Sequence, residues 1–216
     1  MTVPRPRPFV WVSWVAKLLA GETHCAWAAW FKAHYTYPKL PSDFDVAQWT
    51  ASHTVLVREQ VTALLAEGYQ VHVEAQNHFT IPGKSGIVLS GKPDIVARRE
   101  DQALVIDCKT GEPRLSDQLQ VLIYLLVLPY TRPQYRSLTW AGRVQYRHMA
   151  VDMAASQIDE QFRAVFRQTM HQVGGATALG RVPSDGECRW CDIGPEVCPE
   201  RVTTPPPAPL PEHELF

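Results

Sequence analysis

No run in this 216-residue chain is long and apolar enough to cross a bilayer, so no membrane-spanning helix and no membrane partner is expected. The opening "MTVPRPRPFVWVSWVAKLL" sets two arginines before an apolar run. It lacks a small-residue cleavage site, and lysine, glutamate and histidine follow soon after, so it does not read as a signal peptide. The expectation is a cytoplasmic protein. Excess charge is also missing. Lys and Arg total 21 against 22 Asp and Glu, a net charge of -1. That balance gives no pointer to nucleic acid, yet positive charge confined to one groove would still be compatible with it. There is no internal repeat, and no strand–GxxxxGK[ST]–helix, so any ATP-driven step has to come from elsewhere. Cysteines number only five: Cys25, Cys108, Cys188, Cys191 and Cys198. In a reducing compartment, C-x2-C spacing reads as metal binding before disulfide. The segment "GECRWCDIGPEVCPE" is C-x2-C-x6-C and stops at three ligands, where a metal or cluster site normally wants four.

What is present suits one domain with a substantial core. Residues 11–34 read as two helical pieces broken near Gly21, and "YTYPKLPSDF" as a loop. Asp45 is positioned to cap a long helix over 46–66 that stops at Gly68. The period then changes to alternation. "YQVHVEAQNHFTI" reads as one strand, "IVLSGKPDIVARR" as a second interrupted at Gly-Lys-Pro, and "ALVIDCK" as a buried third. Ser116 is expected to cap the buried helix "DQLQVLIYLLVL". "SLTWAGRVQYRHMAV" reads as a strand or hairpin, and 154–172 as an amphipathic helix. The expected fold is an α/β core with a central mixed sheet and helices on both faces. It forms a single domain over 1–202, comprising helices within 10–66, a core over 69–150 and a C-terminal helix with the cysteine segment over 154–200. The tail from 203 to 216 is proline-rich and expected to be disordered.

The chemistry concentrates in "SGKPDIVARREDQALVIDCKTGEP". Asp107 and Lys109 are two apart on a strand and share a face, and the neighbouring strand can aim Asp94 at the same point. Carboxylates are hard oxygen ligands suited to Mg²⁺ or Mn²⁺, and the backbone carbonyl of Cys108 can add another. A lysine beside such a metal can orient or help deprotonate a water and offset phosphate charge. Taken singly, each residue has a blander explanation: Asp107 and Lys109 a strand-end ion pair, Asp94 a turn residue. What weighs against that is an apolar strand running straight into "DCK", because buried charge is costly unless something binds it.

Gly91-x-x-Asp94 followed by Asp107-x-Lys109 resembles the PD-(D/E)xK nuclease superfamily. Gln120 and Tyr124, in "QVLIY", resemble the Q-x-x-x-Y motif of its RecB-like branch, where that helix face is understood to shape the DNA side of the site. The resemblance spans about residues 10 to 200 and implies a restriction-endonuclease-like core and metal-dependent DNA hydrolysis, of the exonuclease or end-trimming kind. The branch also carries a histidine or acidic residue on an earlier helix as a further metal ligand. On a helical wheel His53 lies within the apolar side of 46–66, with Val46, Trp49, Leu56, Val57, Val61 and Leu64, while Glu59 lies nearly opposite. His53 is therefore the candidate. A subset of the branch, including CRISPR-associated exonucleases of the Cas-four type and the nuclease domain of the AddB helicase subunit, is similar at both ends of the chain. There one N-terminal and three C-terminal cysteines hold an iron–sulfur cluster, usually [4Fe–4S]. The resemblance implies Cys25, Cys188, Cys191 and Cys198 here, although Ala26 stands where the family often has proline. Zinc with four thiolates fits the same count. Cys108 points to the opposite strand face from Asp107 and Lys109 and reads as a core residue. DNA is the implied substrate. A helicase, a CRISPR-integration complex or, through the Leu215–Phe216 terminus, a sliding clamp are the implied partners. A rival reading is a non-catalytic nucleic-acid-binding or assembly subunit that keeps the fold.

Overall fold

The computed structural model of the chain describes residues 1–42 and 44–203. The N-terminal part comprises β1 (Val3–Pro4), β2 (Phe9–Trp11), α1 (Val12–Leu19), α2 (Ala26–His34), β3 (Tyr35–Thr36) and α3 (Val46–Ala66). The middle comprises β4 (Gln70–Val73), β5 (Phe79–Pro82), β6 (Val88–Gly91), β7 (Ile95–Arg99), β8 (Gln102–Lys109) and α4 (Leu115–Val127). β9 (Thr139–Tyr146), β10 (Ala150–Ala154), α5 (Glu160–Gly174) and α6 (Asp185–Arg189) complete the order. A five-stranded mixed sheet runs β10-β9-β8-β7-β4, parallel at β8–β9 and antiparallel elsewhere. A three-stranded sheet, β2-β6-β5, lies beside it, with β1 and β3 as a small ribbon. Parallel strands need a crossover, and α4 is that crossover between β8 and β9.

Alternation along β8 sorts its residues between two cores. Ala103 and Val105 face the larger one with α1 and α4, whereas Leu104, Ile106 and Cys108 face α3. Cys108 is thus a buried core residue, 2% exposed, as expected. Asp107 and Lys109 share the α4 side. α3 is capped by Asp45, whose Oδ1 accepts from the Gln48 N–H at 2.8 Å. It stops at Gly68, whose φ of +81° lets the Tyr69 N–H return to the Leu64 carbonyl at 3.0 Å. Leu56, Val57 and Leu64 bury against the sheet. The wheel is wrong at the first turns: Val46 and Trp49 are 62% and 43% exposed. The sheet reaches only the C-terminal part of α3, so the first turns overhang it.

Three element expectations are corrected. "YQVHVEAQNHFTI" is not one strand: β4 and β5 belong to different sheets, separated by a 3-10 turn at Glu74–Asn77. The buried Asn77 amide fixes that turn by donating to the carbonyls of His72 and Pro93 at 2.8 and 3.2 Å. Ser116 does not cap α4 but sits inside its first turn. Glu22, from the α1–α2 turn, accepts from the Ser116 N–H at 2.9 Å and its hydroxyl at 2.7 Å. The helix expected over 154–172 begins at Glu160, capped by Asp159.

The C-terminal segment returns to α2. Trp27, Ala28, Trp30, Phe31 and Ile193 form a separate cluster, with Leu179 and Val197 packed on it.

Candidate active site

The interruption at Gly91-Lys92-Pro93 is where the chain leaves one sheet for the other, and Asp94 stands at the start of β7. Its Oδ2 accepts from the Cys108 backbone N–H at 2.8 Å and meets His53 Nε2 at 3.1 Å. Three elements, β7, β8 and α3, therefore meet on one carboxylate oxygen. Gly91 is needed for this corner: a Cβ there would lie 2.5 Å from the Phe79 ring and 2.9 Å from Tyr124.

Asp107 is 2% exposed. Lys109 Nζ lies 2.7 Å from its Oδ2, and Gln120 Nε2 donates to its Oδ1 at 3.0 Å. Gln120 Oε1 accepts from Lys109 Nζ at 3.5 Å, and the same Gln120 amide donates to Tyr124 OH at 3.1 Å. One glutamine thus ties the acid, the lysine and the tyrosine. Burial pushes the Asp107 carboxyl up to about 6, against the pull of Lys109. Burial acts to lower Lys109, but Asp107 outweighs it and holds the ammonium above the ordinary lysine range. His53, 7% exposed, is raised chiefly by its hydrogen bond to Asp94, against burial. Lys109 thus offsets the Asp107 carboxylate, and His53 hydrogen-bonds that of Asp94.

The donor set fits a hard divalent cation. Asp107 Oδ2 is fully buried and, apart from the Lys109 ion pair, has no hydrogen-bond partner among the described residues. Mg²⁺ keeps several waters and needs one or two carboxylates rather than a closed cage. The site offers that much and no more: among the described residues no group of three or more His, Cys, Asp or Glu side chains could hold a metal ion.

The family model of the PD-(D/E)XK nuclease superfamily matches residues 15–199. The chain belongs to the PD-(D/E)XK nuclease superfamily. No curated protein matches it. Among solved structures, one described as "Crystal structure of SSO0001" is similar over 92% of this chain and 89% of that chain, at 15% identity and a TM-score of 0.47. The mixed sheet flanked by helices agrees with the restriction-endonuclease-like fold of PD-(D/E)XK nucleases, which generally use Mg²⁺ or Mn²⁺ to hydrolyse phosphodiester bonds.

Asp94 with His53, and Asp107 with Lys109 and Gln120, form two hydrogen-bonded groups that adjoin at the Cys108 N–H, and Glu59 is solvated. Tyr124 is different: at 2% exposure it lies behind Gln120 and positions it. One participant escaped the sequence reading, and Glu74, which its strand face ranked below the other candidates, has a supporting part. Asp117, 8% exposed, accepts from Tyr146 OH at 3.0 Å and lies 3.8 Å from Lys109 Nζ. Its spacing of three before Gln120 on α4 was the available signal. Glu74 is exposed, but its N–H donates to the Asp94 carbonyl at 2.8 Å, and its charge helps to raise His53.

The four other cysteines line one cleft of about 1150 Å³. Cys188 is on α6, Cys25 precedes α2, and Glu187 ties the two regions by accepting from the N–H groups of His24 and Cys25. Burial raises the Cys198 thiol, with Arg181 opposing and Cys25 and Cys188 adding to it. The donor chemistry suits thiolate ligation, but as described the thiols do not form a closed site.

Proposed function

We propose that the chain is a Mg²⁺- or Mn²⁺-dependent deoxyribonuclease of the RecB-like branch, acting as an exonuclease or end-processing enzyme. The observation that carries this reading is the buried Asp107–Lys109 pair bridged by Gln120, next to Asp94 on the adjoining strand. Asp94, Asp107, the Cys108 carbonyl and His53 are the residues that would hold the ion, with His53 leaving its hydrogen bond to Asp94. Bound there, a divalent cation supplies polarisation of the phosphate and activation of a water. Lys109, 2.7 Å from Asp107 Oδ2, positions or activates that water and offsets phosphate charge. Gln120 keeps Lys109 and Asp107 in register, and Tyr124 keeps Gln120 there.

The test is Asp107→Asn and Lys109→Ala protein, assayed with Mn²⁺ on labelled single-stranded and duplex DNA. The expected loss is about 10²–10⁴-fold. Cleavage at the parent rate would refute the site. Intact binding without metal-dependent cleavage in the parent would move the reading to a binding or assembly subunit. Linear DNA degraded while circular DNA survives identifies end processing.

The same reading gives Cys25, Cys188, Cys191 and Cys198 a [4Fe–4S] cluster, supported by their sharing one cleft wall. Anaerobically purified protein should be brown and contain iron and sulfide. A colourless protein with one stoichiometric zinc would replace the cluster with a zinc site. A cytoplasmic setting, and a helicase or CRISPR-integration partner, belong to this reading too. The clamp-docking idea concerns a terminus outside the described residues. Deleting 203–216 with all partners still bound would remove it.

A further inference from the structure

The cleft lined by the cysteines also takes in residues of α1 and of the segment before α3. Phe44 lines it together with Trp14, Lys17 and Arg114. Phe44 is 53% exposed and faces Trp49, itself 43% exposed, with ring centroids 6.3 Å apart. Trp49 stacks on His53 at 4.9 Å and 21°. Two large aromatic surfaces are therefore left in solvent, Trp49 joined to the Asp94 carboxylate through His53 and Phe44 one ring further out.

The opposite rim is cationic. Lys17 and Arg114 make no ion pair among the described residues. Glu22, the acid beside Lys17, has both carboxylate oxygens engaged by Ser116. Loss of solvent, then the Arg114 guanidinium, hold Lys17 below the ordinary lysine range, and Lys109 adds to this. Glu22 opposes this, so Lys17 and Arg114 keep partial compensation but no ion pair among the described residues. Cations that share one cleft with an exposed ring match one ligand chemistry: a phosphate backbone with accessible base faces. Bases inside a duplex are stacked on each other, and a ring in the groove wall cannot reach their faces.

We propose that this rim is a track for one unpaired nucleic-acid strand, Lys17 and Arg114 holding its phosphates while Phe44 and Trp49 stack its bases beside the site. It rests on the nuclease reading above and specifies the strand state of that substrate. The variants that test it, Phe44→Ala and Lys17→Ala/Arg114→Ala, lie outside the catalytic network.

The measurement is fluorescence anisotropy in EDTA, with the full chain and a labelled 20-nucleotide oligo-dT, an abasic strand of the same length and a blunt duplex. The unpaired strand should bind about tenfold tighter than the duplex. Phe44→Ala should cost about tenfold on oligo-dT and leave the abasic strand unchanged. The double variant should flatten the dependence of log affinity on log salt by about 1.4 on oligo-dT, the release expected for two phosphates. Duplex bound as tightly as oligo-dT, or Phe44→Ala within twofold of the parent, overturns the proposal. So does a Phe44-dependent dimer in sedimentation with strand affinity unaltered, which would make the rim a self-association face. Because nothing is cleaved in EDTA, failure here is separate from failure of the catalytic reading, which the Asp107 and Lys109 variants decide.

Discussion

Asp107 sits near the end of an apolar strand with its charge held, among the described residues, by Lys109 and Gln120. The consequences of disturbing that arrangement differ by residue. Gln120→Ala removes the bridge and should lower Mn²⁺-dependent kcat about 10²-fold, the scale of a misplaced catalytic group. Tyr124→Phe removes one acceptor from Gln120, whose amide still reaches Asp107, and should cost tenfold or less in the same assay, a rough figure on that scale. A larger effect from Tyr124→Phe would mean that the hydroxyl itself touches substrate. Asp94, Asp107 and Lys109 were legible because strand parity converts spacing into a shared face. Asp117 was not, because its meaning depends on Tyr146, which the parallel pairing of β8 and β9 brings alongside. His53 was legible from the wheel, but Trp49 was misread. A wheel reports angle and not how far along the helix the sheet extends.

At the level of elements, β6 and α4 meet at Gly91. Gly91→Ala drives a methyl into Phe79 and Tyr124 and should cost about 1–3 kcal/mol. For a chain of this size that is a fall of roughly 2–4 °C in Tm for each kcal/mol, read by thermal denaturation. Asp45→Ala removes the cap of α3 and should cost about 1 kcal/mol in the same measurement. Helix ends were legible where a side chain beside the helix caps it, as at Asp45, and illegible where the cap comes from afar, as Glu22 does for α4. Alternation runs from Tyr69 to Ile81 with one break, Asn77 on the apolar parity, and that residue turns the chain between two sheets. A single polar residue in an apolar row does not show by itself whether the strand continues or its side chain is buried against carbonyls, as it is here.

Across the whole molecule, Asp192 fastens the C-terminal segment to the N-terminal helices. It pairs with Lys32 at 2.7 Å and Lys39 at 3.2 Å, and accepts from Tyr37 OH at 2.9 Å. Burial acts to raise the carboxyl, but the Lys32, Tyr37 and Lys39 hydrogen bonds hold it down at about 2. The folded value lies below the unfolded one of about 3.9, so its stabilisation is complete above that pH and fades as pH falls towards 2. Hydrogen-exchange protection around α2, relative to the intrinsic rate at each pH, should therefore fall between about pH 4 and 2 in the parent. Asp192→Asn should be less protected throughout and flatter across that interval. A link between the two ends of the chain was implied by the family resemblance and not by spacing; the lysines and tyrosine that hold Asp192 gave no signal, since Tyr37 lies some 155 residues away.

The packing of Ile193, Leu179 and Val197 on Trp27, Trp30 and Phe31 also sets an order of events at the ribosome. The aromatic face of α2 is translated early, and the side chains that cover it arrive about 150 residues later. At roughly 5–20 residues per second, that face waits on the order of ten seconds in a nascent chain. The helix that helps to wall the cleft is thus the part of this protein most in need of a holding chaperone before synthesis is finished.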